Sequence, residues 1–304
     1  MNPDKECGPR PAMAAIGTFD GVHCGHREML RQMTAAARRL GYAPMVVTFD
    51  RHPLEVVAPD RAPRMLMPLD RRVEALRELV ERVEILSFNE DMRSLTAAEF
   101  MKMLRDRYGV KSVFMGFNHR FGSDRLNDIE QYRREAGLLG MAVFVGDEER
   151  GLNDAPVSST EIRRMIDRGD VRSASEILGR HYRISGPIVK GKQLGRTIGF
   201  PTANLVPAEE RQLVPARGVY ACRAITADGN KYNGVVNIGV RPTVSDSGER
   251  SIEVHLLDFA GDLYGRELTI EFIDRLRYER RFASLEALRR QLEADVESAR
   301  TLLK

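Results

Sequence analysis

The chain has 304 residues, long enough for two ordinary domains, and its 42% hydrophobic and 30% charged residues are those of a folded globular protein. Its 47 basic residues against 44 acidic ones leave a net charge of +3, too slight to point to nucleic acid or a lipid surface. Cys7, Cys24 and Cys222 form neither a metal-binding pair pattern nor a disulfide framework, no apolar run is long enough to cross a bilayer, and MNPDKECGPRP lacks a signal-peptide core, so the sequence predicts a cytoplasmic protein.

In chain order, apolar runs predict strands at Ala12–Ile16, Pro44–Phe49, Val83–Phe88, Val110–Met115 and Met141–Val145. Amphipathic stretches predict helices near Arg27–Leu40, Asp70–Glu81, Ala97–Tyr108 and Ile129–Leu139. Thr96 with Glu99 makes a capping box, and Gly41, Gly109 and Gly140 follow helix ends. Strands alternating with helices of this length predict an α/β half, a parallel sheet covered on both faces. The first strand runs into GTFDGVHCGH, residues 17–26, and the next helix begins near Gly25. His23 and His26 therefore fall in the first strand-to-helix turn, at the carboxyl end of the strands, where open α/β sheets bind ligands. A helix N-terminus presents free N–H groups and partial positive charge, which suits phosphate. By itself the HxxH spacing also fits one core and one surface histidine. MGFNHRFG places Asn118, His119 and Arg120 in a second such loop. VSSTEIRRMIDRGD puts Ser159 and Thr160 at a helix start with Arg163 one turn in; a triphosphate would use all three, an ordinary N-cap only a hydroxyl.

After Gly179 the pattern changes to β-branched runs broken by glycine, with the hairpin signal ADGN between two of them. A small antiparallel barrel is predicted, closed by a helix from Ser284 whose Leu285, Leu288, Leu292, Val296, Ala299 and Leu303 share one stripe. The boundary is expected near Leu178–His181, giving domains 1–179 and 180–304. GPIVKGKQLGRTIGFPTANL interleaves Gly191 and Gly195 with Lys190, Lys192 and Arg196, a pattern that can wrap phosphates or serve as a mobile turn. Thr202 and Asn204, two apart on an extended segment, offer oxygens on one side that suit magnesium. Glu253, between Ile252 and Val254, points away from the face those two share.

GTFDGVHCGH, FNHRFG and SSTEIR, in this order, resemble the adenylyltransferase module of prokaryotic bifunctional riboflavin kinase/FAD synthetases, from about Ala12 to Gly179. GRTIGFPTANL, GVYACRA, NGVVNIGVRPTV, IEVHLLDF, LYGRELTIEFIDRLR and the closing helix resemble the riboflavin kinase module of the same family over residues 180–304. The resemblance implies a Rossmann-like nucleotidyltransferase sheet followed by the barrel, with riboflavin, FMN and ATP as substrates and Mg²⁺ as cofactor. In the first half it implies that His23 and His26 act on the ATP phosphates. Gly17, Phe19, Gly25 and Asn118 would line the nucleotide site, Ser159, Thr160 and Arg163 would hold phosphates, and His52 of TFDRHP would face the flavin. In the second half, Thr202 and Asn204 would bind Mg-ATP beneath a loop holding Gly191, Lys192 and Arg196. Glu253 would be the base for the flavin 5′-hydroxyl, with Arg277 and Phe282 near the flavin. Two positions depart from the family's habit: Pro156 stands where a basic residue is common, and His119 where an aromatic is common. The expected partners are small molecules, without nucleic acid or membrane, and self-association is left open. Two readings compete: a riboflavin kinase with a weak or structural first domain, and a non-catalytic flavin or nucleotide sensor.

Overall fold

Ala12 to Ile16 are all buried, as a strand covered on both faces must be, and form β1 (Ala12–Ile16). The structure, a computed structural model, describes residues 10–116, 119–124, 126–146, 157–191, 195, 198–240 and 250–304. Its contacts divide the chain into two units, Met1–Ser158 and Ser159–Lys304.

In the first unit, α1 (Cys24–Arg39), β2 (Ala43–Phe49), α2 (Leu54–Val57), α3 (Leu69–Arg77) and β3 (Arg82–Leu86) follow β1. Then come α4 (Glu90–Ser94), α5 (Ala97–Tyr108), β4 (Val110–Met115), α6 (Ile129–Leu138) and β5 (Ala142–Val145). The strands pair in parallel in the order β3-β2-β1-β4-β5. Winding reverses between β1 and β4, so the loops after these two strands flank the crevice where such sheets bind ligands. Even-numbered β1 residues pack with Phe100, Leu104 and Tyr132 on one face, and odd-numbered ones with Leu30, Met33 and Leu76 on the other. The capping box of Thr96 and Glu99 is present, and Gly109 closes α5 at φ 71°. Two elements end earlier than their apolar pattern suggests. The helix expected to Glu81 stops at Arg77. The strand expected to Phe88 stops at Leu86, because the Phe88 N–H leaves the ladder for the Asp50 carboxylate at 3.0 Å.

The second unit holds α7 (Ser159–Arg168), α8 (Val171–Leu178), β6 (Tyr182–Val189), β7 (Ala203–Leu205) and β8 (Gly218–Thr226). β9 (Lys231–Val240), β10 (Arg250–Leu256), β11 (Glu267–Arg277) and a helix we number α9 (Leu285–Leu302) complete it. The six strands close an antiparallel barrel in the order β10-β7-β6-β11-β8-β9, which leaves no sheet edge. Ile184, Tyr220, Cys222, Ile238, Ile252, Val254 and Phe272 fill it, and burial raises the Cys222 thiol pKa. Outside, Val296, Ala299 and Leu303 of α9 pack on Val219, Ala221 and Val235. Leu285, expected to head that stripe, is instead 71% exposed, because the first turn of α9 runs past the packed surface. Asp295 is buried on the helix side where only apolar residues were expected.

The expected boundary lay after α8, whereas the contacts place both α7 and α8 with the barrel. α8 packs on β11 and β6. Between the two helices, Gly169 (φ 77°) comes so close to the barrel that an added Cβ would stand 2.6 Å from both Arg275 Nη1 and Tyr220 Oη. Arg275 also donates to the Arg168 carbonyl at 2.6 Å.

Candidate active sites

The turn after β1 bends sharply. Phe19 (φ 51°), Gly21 (φ 80°) and Val22 (φ 37°) all take left-handed conformations. For a β-branched residue this is strained and persists only where the surroundings fix it. Here the buried Asp20 carboxylate is the brace, accepting the N–H groups of Leu66 at 3.0 Å and Met67 at 3.2 Å. His23 caps α1, its Nδ1 accepting the His26 N–H at 3.3 Å, so Nε2 carries the proton of the neutral ring. The two imidazoles stack at 3.6 Å, and the Phe19 ring meets His26 edge-on at 5.2 Å. Phe19 is itself core, and its buried ring supports the turn from below. Gly17 lies under the Phe19 ring, and Gly25 lies between the His23 ring and Val157. The first turn of α1 has no acidic side chain of its own. Two histidines at the positive end of a helix dipole are chemically suited to phosphate oxygens.

Beside the turn lies a cavity of about 420 Å³. Phe49, Phe88, Met92, Leu95, Phe100 and Phe121 wall it, with Thr18, Arg93, His119 and Arg120 as its main polar groups. A mostly aromatic cleft with a few polar groups suits a planar ring system. Its loop is fixed from below by the buried Tyr132, whose hydroxyl donates to the Phe121 carbonyl at 2.6 Å and accepts the Phe121 N–H at 2.9 Å. Burial, with the Arg120 guanidinium beside it, pushes the His119 imidazole down to about 4. His52 does not line this cavity, although its neighbour Pro53 does; its Nδ1 accepts the Leu54 N–H at 3.1 Å, just ahead of α2. The four phenylalanines were not singled out in the sequence, because they arrive from separate segments.

On the barrel, Ile252 and Val254 point inward and Glu253 outward, half-buried. Glu253 stands directly opposite Asn204 on β7 and Asn237 on β9. The Thr202 hydroxyl is 3.4 Å from Glu253 Oε2. Thr202, Asn204 and Glu253 thus meet on one outer face; spacing predicted this only for Thr202 and Asn204, and Glu253 joins them through strand pairing. Gly191 lies so close to Asn204 that an added Cβ would stand 2.1 Å from Nδ2, and Gly195 neighbours Thr202 Oγ1. A cavity of about 100 Å³ adjoins Thr202, lined also by Leu256, Phe259 and Tyr264, and sequence reasoning had not named it. Arg277 is already engaged by Asp295, Nη2 to Oδ2 at 2.8 Å, while its guanidinium lies 5.7 Å from the Phe282 ring. Ser159 and Thr160 open α7 with Arg163 one turn in, all in the second unit. Asn118, Pro156, Lys192 and Arg196 lie outside the described residues. Among the described residues, no three His, Cys, Asp or Glu side chains group to hold a metal ion.

Two family models match the chain, riboflavin kinase over residues 178–303 and FAD synthetase over residues 6–161. A bifunctional riboflavin kinase/FMN adenylyltransferase of Pseudomonas fluorescens is 42% identical over 294 residues, 96% of this chain and 93% of the relative. The protein of the same description from Escherichia coli K12 is 38% identical over 289 residues, 94% and 90% of the two chains. That from Bacillus subtilis is 35% identical over 292 residues, 95% and 91%. A crystal structure from Streptococcus pneumoniae, described as a macrolide-efflux protein, superposes with a TM-score of 0.85 at 33% identity, covering 97% of this chain and 96% of that one. Efflux is said of that protein alone; among the described residues here, no helix is long and apolar enough to cross a membrane.

Proposed function

The chain belongs to the bifunctional riboflavin kinase/FMN adenylyltransferase family, and from that membership we propose which residues carry each reaction. The enzyme phosphorylates riboflavin to FMN in its C-terminal half and adenylylates FMN to FAD in its N-terminal half. The observation that carries the kinase assignment is the meeting of Thr202, Asn204 and Glu253 on one barrel face.

In the kinase, Glu253 orients the riboflavin 5′-hydroxyl and takes its proton as the oxygen bonds to the γ-phosphorus of ATP and the bond to the β-phosphate oxygen breaks, releasing ADP. A hydroxyl and an amide oxygen without a carboxylate cluster fit Mg²⁺, which keeps waters and is completed by ATP phosphates. Thr202 and Asn204 would hold that ion, which would neutralise charge on the transferring group. The small cavity beside Thr202 receives the adenine, and the segment from Arg277 to Phe282 borders the flavin.

In the adenylyltransferase, the aromatic cavity receives the isoalloxazine ring of FMN. A phosphate oxygen of FMN bonds to the α-phosphorus of ATP as pyrophosphate leaves; the nucleophile is already an anion and needs no base. His23, His26 and the first amides of α1 stabilise charge on the leaving group. By resemblance, Ser159, Thr160 and Arg163 hold phosphates. We place both reactions in the cytoplasm, where Cys24 and Cys222, which form no disulfide, stay reduced.

The test is a time course with purified chain, riboflavin and Mg-ATP, resolving FMN from FAD. FMN should appear first and FAD follow. FMN that is never converted would remove the assignment of the first half.

A further inference from the structure

α9 buries a carboxylate against the barrel side of the helix. Asp295, 3% exposed, accepts Arg277 Nε at 2.9 and 3.1 Å, Arg277 Nη2 at 2.8 Å and Gln291 Nε2 at 2.7 Å. Arg277 in turn donates from Nη1 to the Tyr278 carbonyl at 3.1 Å. Gln291, one helical turn from Asp295, accepts from Arg280 through Oε1. The Phe282 ring lies 5.7 Å from the Arg277 guanidinium and 5.0 Å from that of Arg280. Two α9 side chains therefore hold the strand-to-helix segment 278–282 at its start, through Arg277, and at its middle, through Arg280.

The grip has a consequence at the Glu253 face. Gly239 pairs with Ser251, and the next pair on the same face is Asn237 with Glu253. An added Cβ on Gly239 would stand 3.0 Å from Glu279 Oε1 and 3.4 Å from Ser251 Oγ. The otherwise exposed Glu279 thus reaches within one residue pair of the reacting carboxylate. The apolar stripe does not anchor this end of α9, since Leu285 is 71% exposed. A buried ion pair is often no more stabilising than a well-packed apolar pair, but its hydrogen bonds fix direction.

We propose that Asp295 is a positioning residue of the kinase, setting through Arg277 where segment 278–282 stands against riboflavin beside Glu253. The proposal rests on the kinase reading of that face. The test is Asp295→Asn in the full chain, with riboflavin and ATP varied separately. The KM for riboflavin should rise roughly tenfold or more, since small misplacements of positioning groups are costly. The KM for ATP and the rate of FAD formation from supplied FMN should not move. A folded variant with unchanged riboflavin KM overturns the proposal, and so does one in which both activities fall together. If Asp295→Asn does not fold, Asp295→Glu decides, since it keeps the charge but shifts where the Arg277 guanidinium is held. A raised riboflavin KM there supports positioning; a wild-type KM, or a second failure to fold, reduces Asp295 to stability alone. Phe282→Ala in the same assay separates the premises: an unchanged riboflavin KM there sinks the placement of the flavin, whatever Asp295 does.

Discussion

Glu253 sits half-buried between Asn204 and Asn237, so replacing its carboxylate by an amide changes proton acceptance with little change in packing. Glu253→Gln should slow riboflavin phosphorylation by ~10²–10⁴, the usual contribution of a positioned base, and leave FAD formation from supplied FMN intact. His26→Ala should do the reverse, slowing only adenylyl transfer by ~10²–10³, the usual loss for one donor to a developing charge. Parallel loss of both activities in either variant, with the fold retained, would show that these residues do not divide the chemistry. His119 makes a separate prediction about stability. Its imidazole titrates near 6.5 when unfolded but is held down to about 4 in the folded chain. Between those values the unfolded chain binds more protons, so folding is favoured above pH 6.5 and loses that contribution as pH falls toward 4. His119→Phe should flatten this acid limb in melting temperatures measured across the interval. Identical pH profiles for the two proteins would contradict the buried placement of the ring.

At the scale of elements, Tyr132 links α6 to the loop after β4 through both hydrogen bonds of its hydroxyl. Tyr132→Phe removes two part-buried hydrogen bonds to Phe121 and, at about 0.5–1.5 kcal/mol each, should cost roughly 1–3 kcal/mol of stability. Because Phe121 walls the cavity, the KM for FMN should also rise, with riboflavin phosphorylation unaffected; an unchanged KM for FMN would detach this loop from flavin binding. β1 and β4 were legible to the residue in the sequence: β1 is an unbroken apolar run buried on both faces, and β4, despite Lys111 and Ser112, runs from the glycine that ends α5 to the glycine after Met115. Thr202 and Asn204 were legible as a pair because alternation fixes which residues of one strand share a face, whereas Glu253 joins them by strand pairing, which only the family resemblance had suggested. The cavity was not. Phe49, Phe88, Phe100 and Phe121 come from four separate places in the first unit, and Phe88 joins them only because the Asp50 carboxylate draws it off its strand. Asp295 was hidden for the opposite reason: its neighbours on α9 fit an apolar stripe, and nothing local announces that a buried charge has its partner on β11.

At the scale of the whole molecule, the expected break after α8 followed the change of periodicity, since α7 and α8 read as a continuation of the alternating first half. Contacts group α7 and α8 with the barrel, although the riboflavin kinase family model begins at residue 178, beside the expected break, and this bears on what a kinase fragment should contain. Val171, Ala174 and Leu178 of α8 are at most 2% exposed. A chain beginning at Arg180 would lose them, along with the Arg275 bond to the Arg168 carbonyl and the Arg172–Asp274 ion pair at 3.6 Å. It would also uncover the patch of β11 and β6 on which α8 lies. Fully burying a valine or leucine is worth about 1.5–3 kcal/mol, whereas an exposed ion pair contributes at most ~1 kcal/mol, so apolar burial decides the comparison. Residues 159–304 should therefore melt well above residues 180–304. Thr202, Asn204 and Glu253 are present in both, so both should make FMN where they are folded. Thermal melts followed by circular dichroism, paired with FMN formation at a temperature below both transitions, separate stability from chemistry. Equal melting temperatures would return α7 and α8 to the first half, and a folded 159–304 fragment that makes no FMN would mean that the barrel needs the sheet for its own reaction.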